Sequence, residues 1–121
     1  MIVNKISSRT ELIEKVLKNN PGWIIIKFGA DWCGPCKKIH PYIEEKKQTI
    51  PDNVIFYDLN VDDNMDVYSF FKFNKMVNGI PALLAYRQGN LTPFSDSCVI
   101  GTNQRELDHF FETIYDQSCK N

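Results

Sequence analysis

The chain has 121 residues, the length of one compact domain with a single core. Its 14 basic and 15 acidic side chains nearly cancel, so the composition supports no phosphate-binding face and no nucleic-acid partner. No apolar run approaches the roughly 20 residues that span a bilayer, and the segment Met1–Ser8 lacks the basic-then-apolar layout of a secretory leader. No membrane partner is therefore expected, and a reducing, cytoplasmic setting is.

A short strand is expected near Ile2 to Lys5. Ser8 and Glu11 then stand at capping-box spacing, where each can satisfy a free backbone donor at a helix start. Leu12, Ile13, Val16 and Leu17 follow on one helical face, and Asn19-Asn20-Pro21-Gly22 stops the helix and turns the chain. Trp23 to Phe28 is short, apolar and rich in β-branched residues, the composition of a buried central strand. Gly29 to Pro35 interrupts it, and a second helix begins within that turn, with Ile39, Tyr42 and Ile43 as its apolar stripe. Pro41 lies inside this helix, where its missing N–H and its ring predict a kink. The run Glu44-Glu45-Lys46-Lys47 reads as a solvated helix face.

Val54 to Asn60 is the next buried strand, and Asp63 to Phe73 a helix with Val67, Phe70 and Phe71 facing inward. Ala82 to Arg87 is a third long strand, followed by a Gln88-Gly89-Asn90 turn and a further strand within Phe94 to Ile100. Asn103 caps the last helix with Glu106 at the capping-box position, and Leu107, Phe110, Phe111, Ile114 and Tyr115 form its buried face. Strand–helix–strand alternation makes a parallel portion and the closing hairpin an antiparallel one. The expected architecture is α/β: one domain over residues 1–121, with a mixed central sheet and helices on both faces.

The cysteines are Cys33, Cys36, Cys98 and Cys119. A disulfide-stapled secreted scaffold usually carries more of them in a shorter chain. Cys33 and Cys36, three positions apart at a helix start, can bridge without rearranging a fold. A helix N-terminus offers free N–H groups and partial positive charge, and both stabilise a thiolate, the nucleophilic form of cysteine. Cys33 is the outer, attacking thiol; Cys36, one turn further in and more buried, resolves the mixed disulfide. A closed zinc site needs four ligands, which Cys98, Cys119, His40 and His109 do not complete by spacing, so no metal is expected. His40 and His109 read as surface or packing residues, Cys98 as a small strand hydrophobe, and Cys119 as a thiol near a polar chain end. Asn90-Leu91-Thr92 is a glycosylation acceptor sequence, relevant only to a secreted chain.

The segment Trp32-Cys33-Gly34-Pro35-Cys36-Lys37 is similar, without a gap, to the active-site signature of the thioredoxin family. Pro41 resembles the proline of that family's active-site helix, Gly79-Ile80-Pro81 its Gly-Ile-Pro before the third long strand, Gly89 its hairpin glycine and Gly101 its groove glycine. The resemblance implies the thioredoxin fold and a thiol–disulfide oxidoreductase that reduces protein disulfides. It implies a cis Ile80–Pro81 bond and a groove in which Trp32, Gly34, Pro35, Ile80, Pro81 and Gly101 hold an extended substrate as a short strand. No Gly-rich dinucleotide loop is present, so no cofactor is expected. The reducing equivalents then come from a separate thioredoxin-reductase-like or other dithiol donor. A monomer is expected.

Two positions depart from the family pattern. Lys27 stands where thioredoxins carry a buried Asp, and Asp58 where its Lys partner stands, so the charges are exchanged. An unpaired buried charge is costly, so a change at one position demands the other. A protonated Lys27 cannot accept a proton from Cys36 but can stabilise its thiolate, leaving Asp58 as a candidate base acting through water. Such pKa tuning by Lys27 and Asp58 makes a more oxidising, oxidase- or isomerase-like protein the alternative reading. A non-catalytic thioredoxin-like binding module is a third reading, which the intact cysteine pair opposes. Gly29 takes the place of a frequent aromatic residue. About four extra residues lie in each of the 62–81 and 89–101 intervals, a length that loops tolerate.

Overall fold

The computed structural model describes residues 1–120, with side chains through Gln117. Five strands form one sheet: β1 (Ile2–Val3), β2 (Trp23–Gly29), β3 (Val54–Asn60), β4 (Ala82–Arg87) and β5 (Ser97–Ile100), in the order β1-β3-β2-β4-β5. β1 and β2 run parallel to β3, while β4 is antiparallel to both β2 and β5. The helices are α1 (Arg9–Glu11, continuing to Asn19), α2 (Gly34–Gln48), α3 (Met65–Phe73) and α4 (Gln104–Lys120).

Side-chain alternation along the strands divides the core in two. Ile24, Ile26 and Phe28 of β2 face one way and pack with Leu12, Val16 and Leu17 of α1 and Val67 and Phe71 of α3. Trp23 and Ile25 face the other way and pack with Ile39 and Ile43 of α2 and Leu107, Phe110, Phe111 and Ile114 of α4. Each fully buried side chain of this kind contributes about 1.5–3 kcal/mol. The same alternation carries Lys27 of β2 and Asp58 of β3 to the α2 side of the sheet, where the strand register sets them opposite each other.

The helix starts are built as the capping spacing predicts. Ser8 Oγ accepts the Glu11 N–H at 3.1 Å, and Asn103 Oδ1 accepts the Glu106 N–H at 3.0 Å. The Glu11 carboxylate reaches one residue further back than expected, to the Ser7 N–H at 2.9 Å. α1 is not regular: it widens to a π-type turn over Leu12–Val16 and tightens to a 3-10 turn over Leu17–Asn19. The Leu17 N–H donates to the Leu12 carbonyl five residues back; Leu12, Val16 and Leu17 are buried, whereas Ile13, expected on the same face, is exposed. α2 continues through Pro41 to Gln48. Asn90 Nδ2 donates to the Phe94 carbonyl at 2.8 Å and to Asp96 Oδ2 at 3.0 Å, so the acceptor asparagine of the sequon serves to close the β4–β5 loop.

Candidate active site

β2 ends at Gly29, and the chain turns through Ala30-Asp31-Trp32 into α2. Cys33 caps that helix from an extended conformation. Its carbonyl accepts the Lys37 N–H at 3.2 Å and its sulfur accepts the Cys36 N–H at 3.2 Å. Gly34 and Pro35 are exposed and open the helix, and proline fits there because a first-turn N–H has no helical partner to lose. Cys33 and Cys36 are disulfide-bonded, with Cα atoms 5.3 Å apart, a separation that a bridge spans without backbone movement. In the dithiol form, the same N–H and the N-terminal end of α2 favour a Cys33 thiolate.

Cys36 is not the more buried of the two: whole-residue exposure is 5% for Cys33 and 8% for Cys36. They differ in what they face: Cys36, and not Cys33, lines a hollow beside α2. Cys33 Sγ lies 3.9 Å from the Ile80 carbonyl, and the Ile80–Pro81 bond is cis. The Gly101 N–H donates to the Pro81 carbonyl at 2.9 Å, with Gly101 at φ +105°, a conformation that favours glycine. Ile80 and Gly101 are half-buried, and the neighbouring Ile100 is exposed. Trp32 is 68% exposed, yet its indole N–H donates to Asp62 Oδ2 at 2.8 Å. Asp62 is in turn set by its own N–H donating to Asn60 Oδ1 at 2.8 Å. Asp62 and Asn60 were not singled out above; the available signal was an Asn-x-Asp pair at the end of a strand, a turn-forming pattern.

Behind Cys36 the exchanged pair is formed. Lys27 Nζ donates to Asp58 Oδ1 at 3.1 Å. The second oxygen of Asp58 is taken by Lys47 of α2, which also bridges to Glu44 Oε1 at 3.0 Å. This corrects the reading of Glu44 to Lys47 as a wholly solvated run: the Lys47 side chain is only 14% exposed and turns under the helix. Burial raises the pKa of the Asp58 carboxyl, but the Lys27 and Lys47 ammonium groups outweigh it and hold it below the ordinary carboxylate range. Burial works against the Lys47 ammonium, yet Asp58 and Glu44 hold it above the usual lysine range.

Gly29 sits between this pair and the disulfide. The point that a Gly29 Cβ would occupy lies 3.1 Å from Lys27 Nζ and 3.6 Å from Cys36 Sγ. Without a side chain there, a cavity of about 600 Å³ opens, lined by Lys27, Cys36 and Asp58 within and by Asp31, Lys37 and His40 toward solvent. The His40 side chain is 67% exposed, 3.8 Å from Glu44. His109 is also exposed. Cys98 is a free thiol on the edge strand β5 and, contrary to its reading as a small strand hydrophobe, it is exposed. The Cys119 side chain lies outside the described residues. Among the described residues, no three His, Cys, Asp or Glu side chains converge as a metal site, and no helix is long and apolar enough to cross a membrane.

The family model described as Thioredoxin matches residues 4–113. The chain is similar to Thioredoxin H-type of Fagopyrum esculentum, 33% identical over 92 residues that cover 76% of this chain and 72% of that one. It is 30% identical over 97 residues to Thioredoxin-T of Drosophila melanogaster, covering 80% of this chain but 59% of that longer protein. Among solved structures, Plasmodium falciparum thioredoxin superposes with a TM-score of 0.68 at 27% identity, covering 92% of this chain and 98% of that one. The sheet order, the bridged Cys33–Cys36 pair at the start of α2, the cis Ile80–Pro81 bond and these matches agree, and the chain belongs to the thioredoxin family of thiol–disulfide oxidoreductases.

Proposed function

We propose that this chain reduces disulfides in client proteins and is itself returned to the dithiol by a separate donor, a thioredoxin-reductase-like enzyme or another dithiol. The observation that carries this reading is Cys33 at the N-terminus of α2, bridged to Cys36 and set beside the Ile80 carbonyl. A Cys33 thiolate attacks one sulfur of the client disulfide and expels the other as a thiolate. Cys36 then attacks Cys33, forms the internal bridge and releases the second client thiolate. Trp32, Gly34, Pro35, Ile80, Pro81 and Gly101 form the rim on which an extended client segment lies, recognised mainly through its backbone. A persistent dithiol needs a reducing compartment, so this reading places the chain in the cytoplasm, acting as a monomer.

Dithiothreitol-driven reduction of a protein disulfide such as insulin tests the reading. The wild-type chain accelerates it and Cys33→Ser, Cys36→Ser does not. If the double variant retained biological function, the chain would be a binding module.

One observation favours a second reading. The Lys27 ammonium borders Cys36, and positive charge there stabilises the reduced dithiol. Equilibration with a glutathione or dithiothreitol redox buffer, followed by thiol trapping, measures the outcome. A potential near about −270 mV supports the reductase, and one near about −180 mV or above supports disulfide formation or shuffling.

A further inference from the structure

Resolution of the mixed disulfide requires Cys36 to lose a proton inside the protein. Two groups share its cavity that can assist, and they make opposite demands: a carboxylate can take the proton, whereas an ammonium can only hold the thiolate left behind. In this chain both oxygens of Asp58 are occupied, Oδ1 by Lys27 and Oδ2 by Lys47. Lys27 Nζ and Cys36 Sγ instead flank one point, the site of the missing Gly29 Cβ. The absent side chain also opens the cavity of about 600 Å³ that joins Cys36 to solvent.

We propose that Lys27 is the positioning residue for Cys36: its ammonium holds the Cys36 thiolate, the proton leaves to solvent through the cavity that Gly29 keeps open, and Asp58 anchors Lys27 without accepting that proton. The direction of the Asp58 shift agrees, since a carboxyl held below its ordinary range is a weak base. The other titratable or charged groups around Cys36 are Lys37 and His40 of α2 and Asp31 of the preceding turn, at the cavity walls, with Lys47 and Glu44 one step behind Asp58. Of these, Lys27 alone both approaches the sulfur across Gly29 and is held by an ion pair on the neighbouring strand.

The inference rests on the dithiol-exchange reading, and a two-step reaction separates the two. Reduced protein is mixed with the aromatic disulfide 5,5′-dithiobis(2-nitrobenzoate). The Cys33 thiolate attacks, the aromatic S–S bond breaks and one coloured thiolate leaves. The Cys36 S–H then ionises, its sulfur attacks Cys33, and the second coloured thiolate leaves as the internal bridge forms. Because Cys98, which is exposed, and Cys119 would also release coloured thiolate, the reaction is run on Cys98→Ser, Cys119→Ser protein. There, failure of the first release overturns the exchange reading, whereas the second release, followed against pH, reports on Cys36.

Lys27→Met should leave the first release intact, move the pH midpoint of the second up by about one unit and slow it about tenfold at pH 7. Lys27→Arg, which keeps the charge, should restore it. Asp58→Asn should leave the second release as fast as wild type or faster, because the amide oxygen still accepts from Lys27 Nζ, and the change removes a negative charge and no base. Gly29→Leu, which fills the cavity, should shift the midpoint upward. A slowed second release in Asp58→Asn, or an unchanged midpoint in Lys27→Met or in Gly29→Leu, would overturn the proposal.

Discussion

At the scale of single residues, the site is governed by charges that neutralise one another in partly buried positions. Asp58 is depressed despite its burial, so it contributes stability above the unfolded carboxylate pKa of about 3.9, and that contribution fades as pH falls through its lower folded value. Asp58→Asn should therefore be less stable than wild type at neutral pH, and the gap should narrow as pH falls below the unfolded carboxylate value of about 3.9. Urea unfolding at neutral and at acid pH checks this, and a gap that persists unchanged in acid would mean the carboxylate charge contributes nothing. Trp32 raises a different question, because an aromatic side chain 68% exposed must be held if it is to serve as a rim. Its one anchor among the described residues is the Asp62 carboxylate at 2.8 Å. A hydrogen bond to a charged group contributes about 1.5–3 kcal/mol when buried and less in water. Asp62→Ala should raise the KM for a protein disulfide severalfold with kcat little changed, and should alter Trp32 fluorescence. A normal KM with the indole visibly released would show that the rim does not need a fixed tryptophan.

At the scale of elements, periodicity and capping rules located nearly every helix and strand, because those signals are local. Ser8 and Asn103 cap where their spacing says they should. The same logic failed where a neighbouring element decides. The period puts Ile13 on the buried face of α1 with Leu12, Val16 and Leu17, yet α1 widens to a π-type turn and Ile13 is exposed. Lys47 looked like one charge in an exposed run, yet it turns to Asp58 of β3, a partner invisible along the helix itself. The clearest case is Asn64, only 2% exposed and unmarked in the sequence. Its Oδ1 accepts the Ile6 N–H at 2.9 Å, and its Nδ2 donates to the Asn60 carbonyl at 3.0 Å. One side chain thus joins the segment entering α1, the end of β3 and the start of α3. Asn64→Ala leaves a buried donor and acceptor unpaired, so it should cost about 1–3 kcal/mol in chemical denaturation with the active-site thiols still reactive. A loss under about 0.5 kcal/mol would show that those groups find other partners.

At the scale of the whole molecule, the redox state of the cysteine pair is coupled to the stability of the entire domain. The bridge and the dithiol are two states of one fold, and any group that favours one state over the other shifts both the potential and the relative stability of the two forms. Lys27 and Asp58 lie outside the bridge but beneath it, on the α2 side of the sheet, in strand register with each other. That they pair was readable from the exchanged residues, since neither charge can be left alone in a half-buried site. That Gly29 leaves the pair open to Cys36 was not, because the cavity is made jointly by β2, β3 and α2. Restoring the family polarity with Lys27→Asp, Asp58→Lys places a negative charge next to Cys36 and disfavours its thiolate. The reduced form then loses stabilisation that the oxidised form, with no charge on sulfur, never had. The potential should fall, by about 30 mV for each 1.4 kcal/mol removed from the dithiol. Because the potential and the two unfolding free energies belong to one thermodynamic cycle, the Tm of the oxidised form should also rise relative to that of the reduced form. Measured together, a lower potential and a wider Tm gap would locate the effect in the folded dithiol. If both stayed at their wild-type values, Lys27 and Asp58 would be a structural ion pair and nothing more.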